Sequence, residues 1–184
     1  PAVRGRQAGR TRADAAGWEL GDAWLAGGTW LFSEPQPHLR RLRDLSMLGW
    51  APVAVSEAGL AIAATCTIAE LCSAHLPPPW RAGVLIDQCA RAFLSSFKVQ
   101  QAATVGGNLC AALPAGPMIA LAAALDGECE IWSGEATRVV RAADFVIGDG
   151  RTVLRAGELL REIRLPERTL SRLSAFRQMS LTPL

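Results

Sequence analysis

The order of apolar segments along this 184-residue chain predicts an α+β fold in two lobes. Three observations carry that expectation. Strand-like and helix-like runs come in blocks (strand and turn, hairpin, helices, then more strands) rather than in the β-α alternation of a doubly wound sheet. Two paired-glycine segments, Ala26-Gly27-Gly28-Thr29 and Thr104-Val105-Gly106-Gly107-Asn108, each follow an apolar run and read as sharp turns. Neither has the G-x-G-x-x-G spacing of a dinucleotide-binding crossover, and no Walker lysine follows either.

Taken in order, Arg4, Arg6, Arg10 and Arg12 lie in a Gly/Ala-rich lead-in that reads as a solvated, flexible arm over residues 1–17, with order beginning near Trp18. Ala23 to Ala26 reads as a short strand running into the first glycine turn. Trp30-Leu31-Phe32 starts the next element, which Pro35 and Pro37 stop. Leu42 to Leu45 reads as another short strand. Val53, Val55, Leu60 and Ile62 alternate around Ser56-Glu57-Ala58-Gly59, a hairpin signal with Gly59 supplying the turn. Thr67-Ile68-Ala69-Glu70 has capping-box spacing, so a helix starts after Thr67, and Pro77 to Pro79 close that region.

From Trp80 onward, Val84, Leu85, Cys89, Ala92, Phe93 and Phe97 recur at helical spacing, with the second glycine turn directly after. Pro117 opens an Ala/Leu-rich helix closed by Asp126-Gly127. Cys129 to Trp132, Val139 to Arg141 and Arg161 to Leu165 read as strands of a second sheet, the last one ended by Pro166. The resulting division is an arm at 1–17, a first lobe at 18–74 and a second lobe at 75–184.

Bulk composition narrows the function classes. At 50% hydrophobic the chain can bury a substantial core. Net charge +2 carries no nucleic-acid footprint, and no apolar stretch reaches the roughly 20 residues of a membrane span. Five scattered cysteines (Cys66, Cys72, Cys89, Cys110, Cys129) include no CxxC pair, so a zinc or iron–sulfur site is not expected and the cysteines read as small hydrophobes. Their odd, dispersed pattern fits a reducing cytoplasm. His38 and His75 lie near prolines with no nucleophile beside them, which gives no support to a hydrolase triad. The N-terminus is Arg-rich without an apolar signal segment, and the missing initiator Met suggests a fragment or a processed chain.

The chemistry lies in the glycine segments. Paired glycines let backbone N–H groups approach a ligand with no Cβ in the way. Consecutive N–H groups can converge into an anion-binding concavity. A hydroxyl flanks each pair (Thr29, Thr104) and an amide follows the second (Asn108), a combination suited to a ligand with phosphates and polar edges. A nucleotide is the expected ligand.

Three blocks carry a resemblance: Leu25-Ala26-Gly27-Gly28-Thr29, Thr104-Val105-Gly106-Gly107-Asn108-Leu109, and Gly157-Glu158-Leu159-Leu160-Arg161-Glu162-Ile163-Arg164-Leu165-Pro166. In this order the chain resembles the FAD-binding (medium) subunit of molybdenum hydroxylases, the carbon monoxide dehydrogenase and xanthine dehydrogenase group. The resemblance runs from about Trp18 to the C-terminus, and Thr104 to Asn108 is its most specific piece. It implies a two-lobed FAD-binding fold of the vanillyl-alcohol-oxidase (PCMH) type, with a small N-terminal lobe and a larger lobe built on a mixed or antiparallel sheet.

It further implies FAD as cofactor, with Leu25, Ala26, Gly27, Gly28, Thr29 and Trp30 around the pyrophosphate. Thr104, Gly106, Gly107 and Asn108 would lie along the ribityl–flavin portion. The implied function is an oxidoreductase flavin subunit that passes electrons from iron–sulfur clusters through FAD to an acceptor. Its implied partners are a molybdenum-cofactor subunit and an iron–sulfur subunit. Alternatives are a non-catalytic assembly subunit with a degenerate flavin site and another flavoenzyme of the same fold, such as an enolpyruvyl-sugar reductase.

The chain departs from the family pattern in three places. Pro117 stands where an aspartate is expected, Trp30 where many relatives carry a polar residue, and the family's small C-terminal domain has no counterpart before Leu184. These departures leave the phosphate anchors in place and alter the flavin-ring side.

Overall fold

The computed structural model of the chain describes residues 4–8, 17–93, 95–114 and 116–179. Three short strands, β1 (Arg4–Ala8), β2 (Asp22–Leu25) and β3 (Arg41–Asp44), form a parallel sheet in the order β1-β3-β2. Strand β1 falls inside the stretch expected as a solvated arm. It pairs with the edge of β3 that β2 leaves open, so the backbone groups of β3 find partners on both sides.

This small sheet is fastened by charge. Arg41 Nη2 lies 2.6 Å and Arg43 Nη2 2.9 Å from Asp22 Oδ2, and Arg43 stacks over the rings of Trp18 and Trp24. The Asp22 side chain is 2% exposed, and the Arg41 hydrogen bond holds its carboxyl down at about 2.

Next come the hairpin strands β4 (Val53–Ser56) and β5 (Gly59–Ala63). Gly59 has φ 136°, and a side chain there would run into the Leu165 carbonyl. The helix α1 (Ile68–Cys72) starts where the capping box places it: Glu70 N–H donates to Thr67 Oγ1 at 3.1 Å, and Thr67 N–H donates to Glu70 Oε2 at 2.8 Å.

The helix expected from Trp80 to Phe97 is divided. Helix α2 (Val84–Ala92) ends before Ser96, whose hydroxyl accepts from Val99 N–H and begins α3 (Phe97–Gln100). Val84 (49% exposed) and Phe97 (74%) lie outside the core although they share the helical spacing. Helices α4 (Val105–Ala111) and α5 (Pro117–Ala124) follow, the second with Pro117 at its start and Asp126 in the left-handed region (φ 51°) just beyond its end.

Strands β6 (Glu128–Ser133) and β7 (Ala136–Arg141) then lead through the short helix α6 (Ala142–Phe145) to the small hairpin β8 (Val146–Gly148) and β9 (Arg151–Thr152). Strand β10 (Leu159–Pro166) and helix α7 (Glu167–Leu170) complete the described elements. Strand β10 is central in a five-stranded antiparallel sheet ordered β4-β5-β10-β6-β7. The hairpin at 53–63, which a division at 74/75 places in the first lobe, thus shares a sheet with the late strands.

The core lies where this sheet meets its helices. Leu60 and Ile62 of β5, Ile131 of β6 and Ile163 and Leu165 of β10 pack with Leu85 and Cys89 of α2, Leu109 of α4, and Met118 and Leu121 of α5. Each such burial contributes roughly 1.5–3 kcal/mol before entropy is counted. A long-range bond ties the small sheet to this body: Trp24 Nε1–H on β2 donates to Glu158 O, 2.9 Å away, just before β10. The Glu158 carboxylate, 4% exposed, is held by Arg138 Nη2 at 2.5 Å and by Arg155 N–H at 2.8 Å. The Arg138 hydrogen bond draws its pKa below the ordinary carboxylate value.

Candidate functional site

The two glycine segments and the start of β10 wall a single cavity of about 950 Å³. Leu25, Ala26, Gly27, Gly28, Thr29 and Trp30 line it from the first segment, and Thr104, Gly106, Gly107 and Asn108 from the second. All the residues that the sequence nominates for the cofactor are therefore brought to one surface. Packing around each segment is close. A Cβ on Gly27 would overlap the carbonyl of Ala102, and one on Gly106 would sit 2.5 Å from Ala64 Cβ. Both glycines are needed because backbone packs against backbone there.

The first segment is a true turn. Strand β2 ends at Leu25, and Gly28 reverses the chain with φ 71°. The turn's carbonyls are used: Phe32 N–H donates to Gly28 O at 2.9 Å, and Ser33 N–H to Trp30 O at 3.0 Å. Its amides are not. From Ala26 to Leu31, no backbone N–H donates to an acceptor among the described residues, and each of these residues lines the cavity. An N–H left without a partner costs stability unless water or a ligand accepts from it. A run of such groups is a concavity for an anion.

The second segment is not a turn. Thr104 is the N-cap of α4, its Oγ1 accepting from Gly107 N–H at 3.0 Å, and neither Gly106 nor Gly107 has positive φ. Its amides are satisfied within the protein: Val105 N–H donates to Cys66 O, Gly106 N–H to Ala64 O and Asn108 N–H to Thr104 O. Asn108 Oδ1 accepts from Met118 N–H at 3.1 Å and so caps the first turn of α5 across space. What this segment offers the cavity is the Thr104 hydroxyl proton and the Asn108 Nδ2 donors, which bond to no described residue.

No Lys, Arg or His is among the described residues that line the cavity. Among the described residues, a bound phosphate would therefore meet neutral donors, amides and hydroxyls, and no cation. The remaining wall is mostly apolar, with Phe93, Val99, Leu113, Pro117, Leu154 and Leu160 offering a surface to a flat ring system. Unsatisfied amides, neutral polar donors and an apolar wall fit the diphosphate, sugar and ring portions of FAD.

Asp149 is the one carboxylate among the described residues of this lining. Its Gly148-Asp149-Gly150 context carries only the signal of a hairpin turn, so sequence reasoning passed over it. Pro117 also lines the cavity, so the departure from the family aspartate falls within the site. Among the cysteines, Cys66, Cys89 and Cys129 are buried while Cys72 and Cys110 are exposed. Burial pushes the Cys66 thiol up to about 12, which leaves it protonated and unreactive at neutral pH. No group of three or more His, Cys, Asp or Glu side chains suited to a metal occurs among the described residues.

Similarity to known proteins agrees with this geometry. The fold matches carbon monoxide dehydrogenase from Hydrogenophaga pseudoflava, solved in a form lacking the Mo-pyranopterin moiety, with TM-score 0.78, 22% identity, 90% of this chain and 60% of that one. Reconstituted CO dehydrogenase from Oligotropha carboxidovorans gives TM-score 0.76, 24% identity, 86% of this chain and 57% of the other. Quinoline 2-oxidoreductase from Pseudomonas putida 86 gives 0.69, 26%, 79% and 52%. The chain thus spans between half and three fifths of the solved chains it resembles. Comparison with curated proteins returned no match. Residues 21–168, a range that takes in both glycine segments and β10, match the family described as the FAD binding domain in molybdopterin dehydrogenase, and the chain belongs to that family.

Proposed function

We propose that the chain is the FAD-holding electron-transfer unit of a molybdenum-containing hydroxylase or dehydrogenase. In such an enzyme electrons come from iron–sulfur clusters and leave to an acceptor. The observation that carries this reading is the row of N–H groups from Ala26 to Leu31, without acceptors among the described residues, in the wall of a cavity to which no described residue brings a cation. These amides would hold the diphosphate, and Gly27 and Gly28 keep the backbone close enough for them to do so. The Thr104 hydroxyl and the Asn108 Nδ2 would donate to the ligand's polar edges, while the apolar wall excludes water from the ring.

Bound flavin supplies the redox chemistry, and the protein supplies position and electrostatics. The partners are a molybdenum-cofactor subunit and an iron–sulfur subunit in a hetero-oligomeric oxidoreductase of the cytoplasm. No helix among the described residues is long and apolar enough to cross a membrane.

Visible absorbance of an oxidised flavin in the purified chain, with FAD identified by chromatography after release, tests the cofactor. Mixing the chain with candidate molybdenum and iron–sulfur subunits tests the role. A colourless chain that takes up no added FAD but still forms the complex would support the assembly-subunit alternative. FAD-dependent reduction of a small substrate without any complex would support an independent flavoenzyme.

A further inference from the structure

At the tip of the β8–β9 hairpin, Gly150 has φ 61° and its N–H donates to Ala112 O at 3.1 Å. Ala112 is the left-handed cap that ends α4 (φ 49°). The tip is thereby tied to the C-terminal end of the helix that the second glycine segment begins. Asp149 precedes Gly150 and lines the cavity. It makes no hydrogen bond or ion pair with any described residue. Asp149-Gly150 suits the hairpin turn, but the turn uses no carboxylate oxygen among the described residues, and the helix dipole at the carbonyl end of α4 does not favour a carboxylate.

The cavity wall offers a strong acceptor at Asp149 and unsatisfied donors at Ala26 to Leu31. No cation among the described lining residues neutralises either the carboxylate or a diphosphate, so the two would repel at close range. The ligand portion facing Asp149 must then be neutral and carry hydrogen-bond donors. Leu113, one residue beyond Ala112, and Pro117 give this end of α4 an apolar wall suited to the ring end of the ligand.

We propose that Asp149 binds the cofactor by accepting hydrogen bonds from hydroxyls of the flavin-side sugar alcohol. The assignment rests on the FAD reading above. It gives this chain a carboxylate from the β8–β9 hairpin in a cavity where Pro117 supplies none.

The test is titration of the apo chain with FAD and, separately, with ADP, which shares the diphosphate and adenosine but lacks the sugar alcohol and ring. Asp149→Ala is expected to weaken FAD about ten-fold or more, the effect of losing a hydrogen bond to a charged acceptor, and to leave ADP within about two-fold. Asp149→Asn keeps one acceptor oxygen and is expected to fall between. If Asp149→Ala does not fold, the ratio of FAD to ADP loss in Asp149→Asn decides. Unchanged FAD affinity, or equal loss of FAD and ADP, would overturn the assignment. Failure of the unaltered chain to bind FAD would overturn the FAD reading, and this assignment with it.

Discussion

Two segments of similar composition reach the same cavity and do opposite things there. At Gly27-Gly28 the chain leaves a strand, reverses, and leaves its amides without partners among the described residues. At Gly106-Gly107 it enters a helix, and every amide from Val105 to Asn108 bonds to the protein. The first pair is glycine because the turn needs positive φ and close approach. The second is glycine because α4 packs against Ala64 of the segment following β5. A Gly-Gly pair thus leaves amides open to the cavity in one place and closes packing in the other, and hydrogen bonding distinguishes them.

Substitutions should separate the two roles. Gly106→Val has the largest expected effect: its Cβ would meet Ala64 backbone and side chain at 2.5–2.6 Å, and such overpacking should cost about 3 kcal/mol. Thermal melting would read this, and a melting temperature equal to that of the unaltered chain would remove the packing role. Gly28→Val should weaken FAD about a hundred-fold, or about 2.7 kcal/mol, while disturbing stability less. The route is indirect, because the added Cβ points into the Phe32 ring (2.6 Å) and strains a left-handed residue, so the turn shifts and its amides lose their aim. Intact FAD affinity in a folded Gly28→Val chain would contradict the anion role of the turn.

The small sheet that carries the first turn should respond to acid through Asp22. Its carboxyl is depressed in the folded state, so its stabilising contribution is complete above the ordinary carboxylate pKa of about 3.9 and is lost as pH falls through about 2. Asp22→Asn should cost about 1.5–3 kcal/mol near neutral pH and flatten that part of the pH–stability curve. An unaltered slope between pH 4 and pH 2 would assign the acid sensitivity to other carboxylates. The smallest effect is expected at the second segment's cap. Thr104→Ala removes the acceptor for Gly107 N–H and should cost about 1 kcal/mol, while Thr104→Ser should restore it. If Thr104→Ala instead abolished FAD binding at unchanged stability, the hydroxyl would act mainly on the ligand.

Much of the fold is legible in local chemistry. The capping box at Thr67 and Glu70 marks α1, Pro117 starts α5, and the alternation of Val53 to Ile62 gives the hairpin, because each depends on neighbours a few residues apart. The helix expected to run through Phe97 is two helices, since the apolar spacing that includes exposed Val84 and Phe97 cannot tell one long helix from two short ones on either side of Ser95-Ser96. The arm at 1–17 concealed β1 because Arg4–Ala8 lacks an apolar pattern and pairs through its backbone with β3.

The sequence by itself determined the family and the residues that gather at the cavity, because glycine pairs, caps and the block around β10 are written in residue types. Tertiary structure decided which amides remain unsatisfied, since that depends on where Ala64, Cys66 and Ala102 come to rest. It also decided that Trp24 would link the small sheet to Glu158 and that Asp149 would join the cavity wall through Gly150 and Ala112. These are contacts between residues far apart in the chain. No local pattern encodes them, because they form only when sheet, helices and hairpin tip are packed together.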